Sequence, residues 1–291
     1  MKRRVKPVNS SYDVVIFDID NVMVDTRASY TDCIRETVQI YLTRFLKIKP
    51  IKHMLLTRHD VETFKRLGGF NDDWDTCYGL LLYLCGQDSE IRSLNDLLQT
   101  KKILGLLKTS KTPVGVHGIE KRFGKRPDVQ MKRVSRLFQA LYWSKYIRRE
   151  KPIISKRVFR HLKKQGIRIA IATGRNLKEA NYVLKRFGIR RPINFLVTLN
   201  HLPGARFKKP HPYSLLRIAK RFGLRLRYLY IGDLPDDMTM AKTARRQIRC
   251  GSWAFVGMSE LRGKDLKCFE QAGAERLFSS KQALNRALLS L

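Results

Sequence analysis

Two aspartates, Asp18 and Asp20, end a run as apolar as a buried strand (VVIFDID), with Asp25 close behind. A buried carboxylate is costly unless it is paired or bound to a metal, so this strand end needs partners. Three later stretches supply them: ATGR (Thr173, Gly174, Arg175), FKKPHP (Lys209, Pro210) and GDLPDD (Asp233, Asp237). Asp18 and Asp233 together can hold Mg²⁺, a hard cation that is bound through one or two carboxylates, water and a substrate phosphate. With a phosphate held there, Asp18 is placed as a nucleophile. Asp20, two residues along, is placed as proton donor to the leaving oxygen and then as base for water. Thr173 and the amides after it are placed to bind phosphate oxygens, Lys209 to balance the charge of transfer, and Asp237 to orient Lys209 or water.

The elements around these residues would bring them together. Residues 13–17 read as a buried strand, apolar and β-branched, with a loop from Asp18. From Pro152 the rhythm becomes helix 155–165, strand 168–173, helix 176–187, strand 194–199, helix 212–222, strand 227–233, helix 236–244 and strand 252–257. Short apolar strands alternating with amphipathic helices predict an α/β fold, a Rossmann-like parallel sheet covered on both faces. In such a sheet the polar ends of strands meet at the carboxyl edge, where ligands bind. Residues 27–150 read instead as an all-helical insertion, with helices at 28–46, 58–67, 75–84, about 90–107 and from 128, and with a loop between Thr109 and Pro127. The predicted organisation is a core from 1–26 and 151–291 interrupted by that insertion.

Composition is globular, at 291 residues and 43% hydrophobic. The longest apolar stretch, Leu80–Cys85, is too short to span a bilayer, and the basic N-terminus leads into polar NSSYD, which predicts a soluble cytoplasmic protein without a membrane association. Five scattered cysteines, with no CxxC pair, read as reduced and packed. The net charge of +34 is uneven: residues 1–100 hold 14 Lys and Arg against 14 Asp and Glu, so the whole excess lies in residues 101–291. Such a field favours anionic substrates and weak nucleic-acid association at low salt, although solvated helix faces explain the same charges.

The four motifs, in the order DIDNV, ATGR, KKPHP and GDLPDD, resemble those of the haloacid dehalogenase superfamily of phosphohydrolases. The resemblance implies Asp18 as the aspartyl-phosphate nucleophile, Asp20 as general acid/base, and Thr173 and Lys209 as phosphate binders. It implies Asp18, the Asp20 main-chain carbonyl and Asp233 as Mg²⁺ ligands, with Asp237 as the second acid of the last motif. The dehalogenases lack the second aspartate of DxD, so Asp20 points to phosphate chemistry. A helical insertion between the first two motifs resembles the C1 cap of the phosphoglycolate-phosphatase-like branch. Its stretches LGGFNDDWD and RLFQALYWSKYIRREKPIIS resemble a subgroup sometimes fused to histidinol-phosphate aminotransferases. Asn21 stands where Gly is common in the family, and the insertion is long for the branch.

The expected activity is hydrolysis of a small phosphorylated substrate, phosphoglycolate being the family-based guess. A sugar-phosphate mutase, a histidinol-phosphate phosphatase and a basic RNA- or ribosome-associated protein are the alternatives. Asn71, Asp72 and Trp74 of the insertion, with Gly174 and Arg175, are the candidates for substrate contact. Asp25 reads as structural, Asp236 as an exposed acid at a helix start, and His211 as a bystander. The oligomeric state is not readable from the chain.

Overall fold

A computed structural model describes residues 11–70, 72–86, 91–100, 114–259 and 263–291, which form two compact units, one of residues 1–25 and 151–291 and one of residues 26–150. The strand of the first motif, β1 (Val14–Phe17), is buried at every residue. Two-residue strands β2 (Val24–Asp25) and β3 (Lys151–Pro152) pair antiparallel where the chain leaves and re-enters the first unit. They are too short to leave a periodic pattern, and sequence reasoning missed them. After them come β4 (Arg168–Ala172), β5 (Phe195–Val197), β6 (Arg227–Gly232), β7 (Arg249–Phe255) and β8 (Arg276–Phe278).

These strands form one six-stranded sheet in the order β5-β4-β1-β6-β7-β8, parallel throughout, so the α/β expectation holds. β1 lies between β4 and β6, with Val14 in register with both Arg168 and Tyr228. The chain therefore winds outward on one side of β1 and then on the other, and the crevice at that reversal is where ligands bind in open α/β sheets.

In the helical unit are α1 (Asp32–Ile40), α2 (Arg58–Lys65), α3 (Asp73–Cys85), α4 (Leu94–Thr100), α5 (Gly115–Phe123) and α6 (Met131–Leu141). The sheet unit holds α7 (Lys156–Lys164), α8 (Leu177–Arg186), α9 (Tyr213–Phe222), α10 (Pro235–Ala244), α11 (Lys267–Ala272) and α12 (Lys281–Leu289). Side chains alternate across the strands. Val15, Phe17, Ile169, Ile171, Leu229 and Ile231 face α7, α8 and α12, whereas Val14, Ile16, Ala170, Tyr228 and Tyr230 face α9 and α10. Burial on both faces is the reason the strands read as unbroken apolar runs, and each fully buried large apolar side chain contributes ~1.5–3 kcal/mol. Elements α11, β8 and α12 lie beyond the last strand read from the sequence.

Within the helical unit, α3 is buried from Thr76 to Cys85, which explains its apolar residues all round. Thr57 and Asp60 form a reciprocal capping box at the start of α2. The loop expected between Thr109 and Pro127 is corrected over its described part, because α5 occupies Gly115–Phe123 and buries Ile119. Its glycines lower helix propensity, but tertiary bonds override them. Val114 N–H donates to Leu67 O at 2.9 Å and Gly115 N–H to Gly68 O at 3.0 Å. The two chains approach so closely that a Cβ on Gly69, whose φ is +77°, would stand 2.8 Å from the Gly115 Cα. The five cysteines are unbridged, and four of them are buried. Among the described residues no helix is long and apolar enough to cross a membrane.

Candidate active site

The carboxyl ends of β1, β4 and β6 deliver the first, second and fourth motifs, and Lys209 comes from the stretch between β5 and α9. Asp18 follows β1 directly, is 5% exposed, and receives a hydrogen bond from Lys209 Nζ at 2.7 Å. The same ammonium lies 2.7 Å from Asp237 Oδ1, so one lysine bridges two acids from different motifs. Ligand oxygens of Asp18, Asp233 and Asp237 all fall within 4.8 Å of one another. Three carboxylates and one lysine leave an excess of negative charge in a site shielded from water.

Gly232, the last residue of β6, permits this crowding. A Cβ there would overlap the Asp237 side chain, so only glycine lets the strand end pass so close to α10. Asp237 is fully buried and heavily engaged: Oδ2 accepts from the Asp233 and Leu234 N–H groups at 3.1 and 3.0 Å, and Oδ1 accepts from the Tyr230 hydroxyl at 2.7 Å. Its spacing after Asp233, one turn into the helix, thus caps α10 as well as aiming Lys209. Asp233 differs. Its Oδ2 accepts from Asn21 Nδ2 at 3.2 Å, while its Oδ1 is sealed from solvent and accepts no hydrogen bond among the described residues. A buried, unpaired carboxylate oxygen beside two further carboxylates fits a hard dication, which would use the unpaired oxygen and neutralise the excess charge.

The protonation tendencies follow from this crowding. Burial, aided by the Asp237 and Asp20 charges, outweighs the pull of Lys209 and raises the Asp18 carboxyl to about 7. Burial, with the Asp237 and Asp18 charges, holds the Asp233 carboxyl well above the usual range against the pull of Lys209. Burial disfavours the Lys209 ammonium, yet Asp18 and Asp237 outweigh it and hold Lys209 firmly protonated.

Asp20 is not part of the three-carboxylate group. Arg175 Nε and Nη2 both donate to its Oδ1, at 2.8 and 2.6 Å, from a guanidinium that is 1% exposed. This partner of Arg175 was not anticipated from the sequence. Thr173 follows β4, where its N–H donates to Val197 O at 3.1 Å and its Oγ1 accepts from the Arg175 N–H at 3.3 Å. Gly174 has open space where a Cβ would stand.

The insertion candidates lie in the helical unit, where Asp72 caps α3 by accepting from the Trp74 N–H at 3.0 Å and Trp74 is half-buried. Asn71 lies outside the described residues.

Two residues of the site were not assigned from the sequence. Tyr230 is an ordinary inward strand residue by pattern, and only the fold sets its hydroxyl on Asp237 and its ring 5.7 Å from Lys209 Nζ. Asn21 left a signal, an Asn where glycine is common; its φ of +51° is the left-handed conformation that Asn tolerates.

The sequence profile of haloacid dehalogenase-like hydrolases matches residues 12–245, across all four motifs. The chain belongs to the haloacid dehalogenase-like hydrolases. A phosphoglycolate phosphatase from Nitrosococcus oceani is 34% identical over 95 residues, covering 32% of this chain and 41% of that protein. Another from Pasteurella multocida is 34% identical over 84 residues, covering 28% of this chain and 36% of that protein. The aligned region thus spans about two fifths of the curated relatives. In fold, the chain is similar to a predicted phosphoglycolate phosphatase from Haemophilus somnus (TM-score 0.62, 15% identity, 96% of this chain and 98% of that one). It is also similar to a phosphatase from Thermococcus thioreducens (TM-score 0.60, 19% identity, 86% and 93% covered).

Proposed function

We propose that this haloacid dehalogenase-like hydrolase is a Mg²⁺-dependent phosphomonoesterase acting on a small organic phosphate. The observation that carries the reading is the Asp18–Lys209–Asp237 bridge beside the unpaired Asp233 oxygen. A dication held by Asp18, the Asp20 carbonyl and Asp233, with Asp237 nearby, would neutralise their charge and polarise the phosphoryl group. Asp18 attacks the phosphorus and displaces the alcohol, whose oxygen receives a proton from Asp20. Asp20 then takes a proton from the water that cleaves the aspartyl-phosphate. Arg175 fixes the Asp20 carboxyl in position, and Lys209, aimed by Asp237 and Tyr230, stabilises charge on the equatorial oxygens together with Thr173.

The helical unit is read as the cap implied by the family resemblance, with Asp72, Trp74 and Asn71 as candidates for substrate selection and Gly174 and Arg175 as the candidates in the sheet unit. Phosphoglycolate leads because the curated relatives carry that name; the five unbridged cysteines favour the cytoplasm as its setting. A second reading, association with polyanions, draws on the +34 charge.

The test is phosphate release from p-nitrophenyl phosphate and a panel that includes phosphoglycolate and histidinol phosphate, with Mg²⁺ or EDTA, for wild type and Asp18→Asn. Turnover that needs Mg²⁺ and falls ~10⁴-fold in the variant is expected. Turnover that survives in Asp18→Asn would refute the nucleophile, and a requirement for a bisphosphate activator would point to a mutase.

A further inference from the structure

The two faces of the sheet differ in charge. Helices α7, α8 and α12 cover one face and α9, α10 and α11 the other. The first three carry ten Lys and Arg against a single acid, Glu179, which is buried; the second three carry five against three. Half of the ten are on α7, which has no acid. Its apolar residues Val158, Phe159 and Leu162 point into the core, leaving Arg157, Arg160 and Lys164 exposed three and four residues apart, as neighbours on the outer surface. Among the described residues these three meet no acidic side chain within ion-pair distance. Like charges at that spacing repel, so the helix gains nothing from them unless an outside anion lies across them.

A second feature adjoins this row. Where the start of α7, the end of α8 and the start of α12 converge, Lys156, Arg186 and Lys281 line a pocket of about 580 Å³. Asn285 pins that corner, accepting from the Ser155 N–H at 2.8 Å and donating to Ile153 O at 3.1 Å. The pocket shares no residue with the carboxylate site. From Arg157 to Lys164 the row is about 10 Å long, so with the pocket it exceeds the reach of one small anion.

We propose that the α7/α8/α12 face binds the sugar–phosphate backbone of a single-stranded nucleic acid without reading its sequence. Lys156, Arg186 and Lys281 grip one phosphate in the pocket, and Arg157, Arg160 and Lys164 follow the neighbouring ones. The proposal is independent of the phosphatase reading.

Fluorescence anisotropy with labelled ~20-nucleotide RNA and DNA strands, from about 50 to 200 mM KCl, tests it against two variants. One is Arg157→Gln/Arg160→Gln/Lys164→Gln. The other is a control of equal charge change beside the opposite face, Lys220→Gln/Arg221→Gln/Arg225→Gln. About four phosphate contacts predict a ~50-fold loss of wild-type affinity over that salt range. The α7 variant is expected to bind at least ~10-fold more weakly, with a log–log salt slope smaller by ~2, while the control stays within ~3-fold of wild type. Phosphatase turnover is expected to be unchanged in both variants. Equal losses in the two variants would overturn the proposal in favour of diffuse charge. Absence of wild-type binding to either strand, or tighter binding to phosphatidylserine vesicles than to both, would also overturn it.

Discussion

Two carboxylates set the units apart. In the helical unit Glu150, 2% exposed, accepts hydrogen bonds from the Tyr142 hydroxyl at 2.9 Å and Ser29 Oγ at 3.3 Å. In the sheet unit Asp233 is left with one oxygen sealed and unpaired, beside two further acids that share one lysine. Other helical-unit acids follow Glu150: Asp32 is held by Arg35 and Arg58, Glu36 by Lys145 and Tyr146, and Asp73 by Lys65. Burial raises Asp32 and Glu36, but these donors outweigh it and hold both below the ordinary range, whereas Asp18 and Asp233 are pushed above it. One unit uses its acids to stabilise a fold; the other concentrates them at a cost in stability that a dication and a phosphate would relieve.

The substitution with the largest expected effect is Asp233→Asn. Removing that charge is expected to raise the melting temperature of the metal-free protein, to reduce turnover ~10²-fold or more, and to abolish the thermal shift that saturating Mg²⁺ produces in wild type. That shift corresponds to ~2.7 kcal/mol at a hundred times the dissociation constant. Calorimetry with and without Mg²⁺ checks all but the turnover; a variant less stable than the metal-free wild type would erase the contrast between the units.

Next in size is Glu150→Ala. It leaves the Tyr142 hydroxyl without its acceptor in a buried site and is expected to cost ~1–3 kcal/mol in urea denaturation, with the Mg²⁺-induced shift intact. Loss of that shift would show that the two units are not energetically separate.

The smallest effect concerns pH. Because the Asp32 and Glu36 carboxyls are lowered in the folded state, their contribution is fully present above the unfolded values near 4 and is lost as the pH falls through the lower folded values. Melting scans from about pH 6 to 3 should show acid destabilisation that is reduced in Glu36→Gln, whose stability at pH 6 is lower by about 1 kcal/mol. An unchanged pH slope in Glu36→Gln would remove Glu36 from that account.

Legibility followed locality. The strand at residues 13–17 and the parallel sheet were readable because burial on both faces forces continuous apolar runs bounded by polar ends. The helix at 115–123 was hidden, since its glycines serve a backbone contact with Gly68 and Gly69 that no local pattern announces. Asp18 and Asp233 could be singled out as acids at strand ends, Lys209 as a cation in a motif loop and Asp237 as an acid one turn beyond Asp233, and the structure brings them together. Arg175 turning to Asp20 and Tyr230 reaching Asp237 could not be read, because side-chain direction depends on packing rather than spacing.

By itself, then, the sequence determined the α/β architecture, the motif residues and the basic excess after residue 100, because strand periodicity, residue type and charge are properties of a chain. The tertiary structure alone decided that β1 lies between β4 and β6, that Gly232 lets Asp237 lie against the strand end, and that Asp233 keeps an oxygen unpaired. The first and the last depend on contacts between segments far apart in the chain, such as Asn21 and Asp233, and the second on how tightly α10 turns back against β6, none of which residue type alone sets.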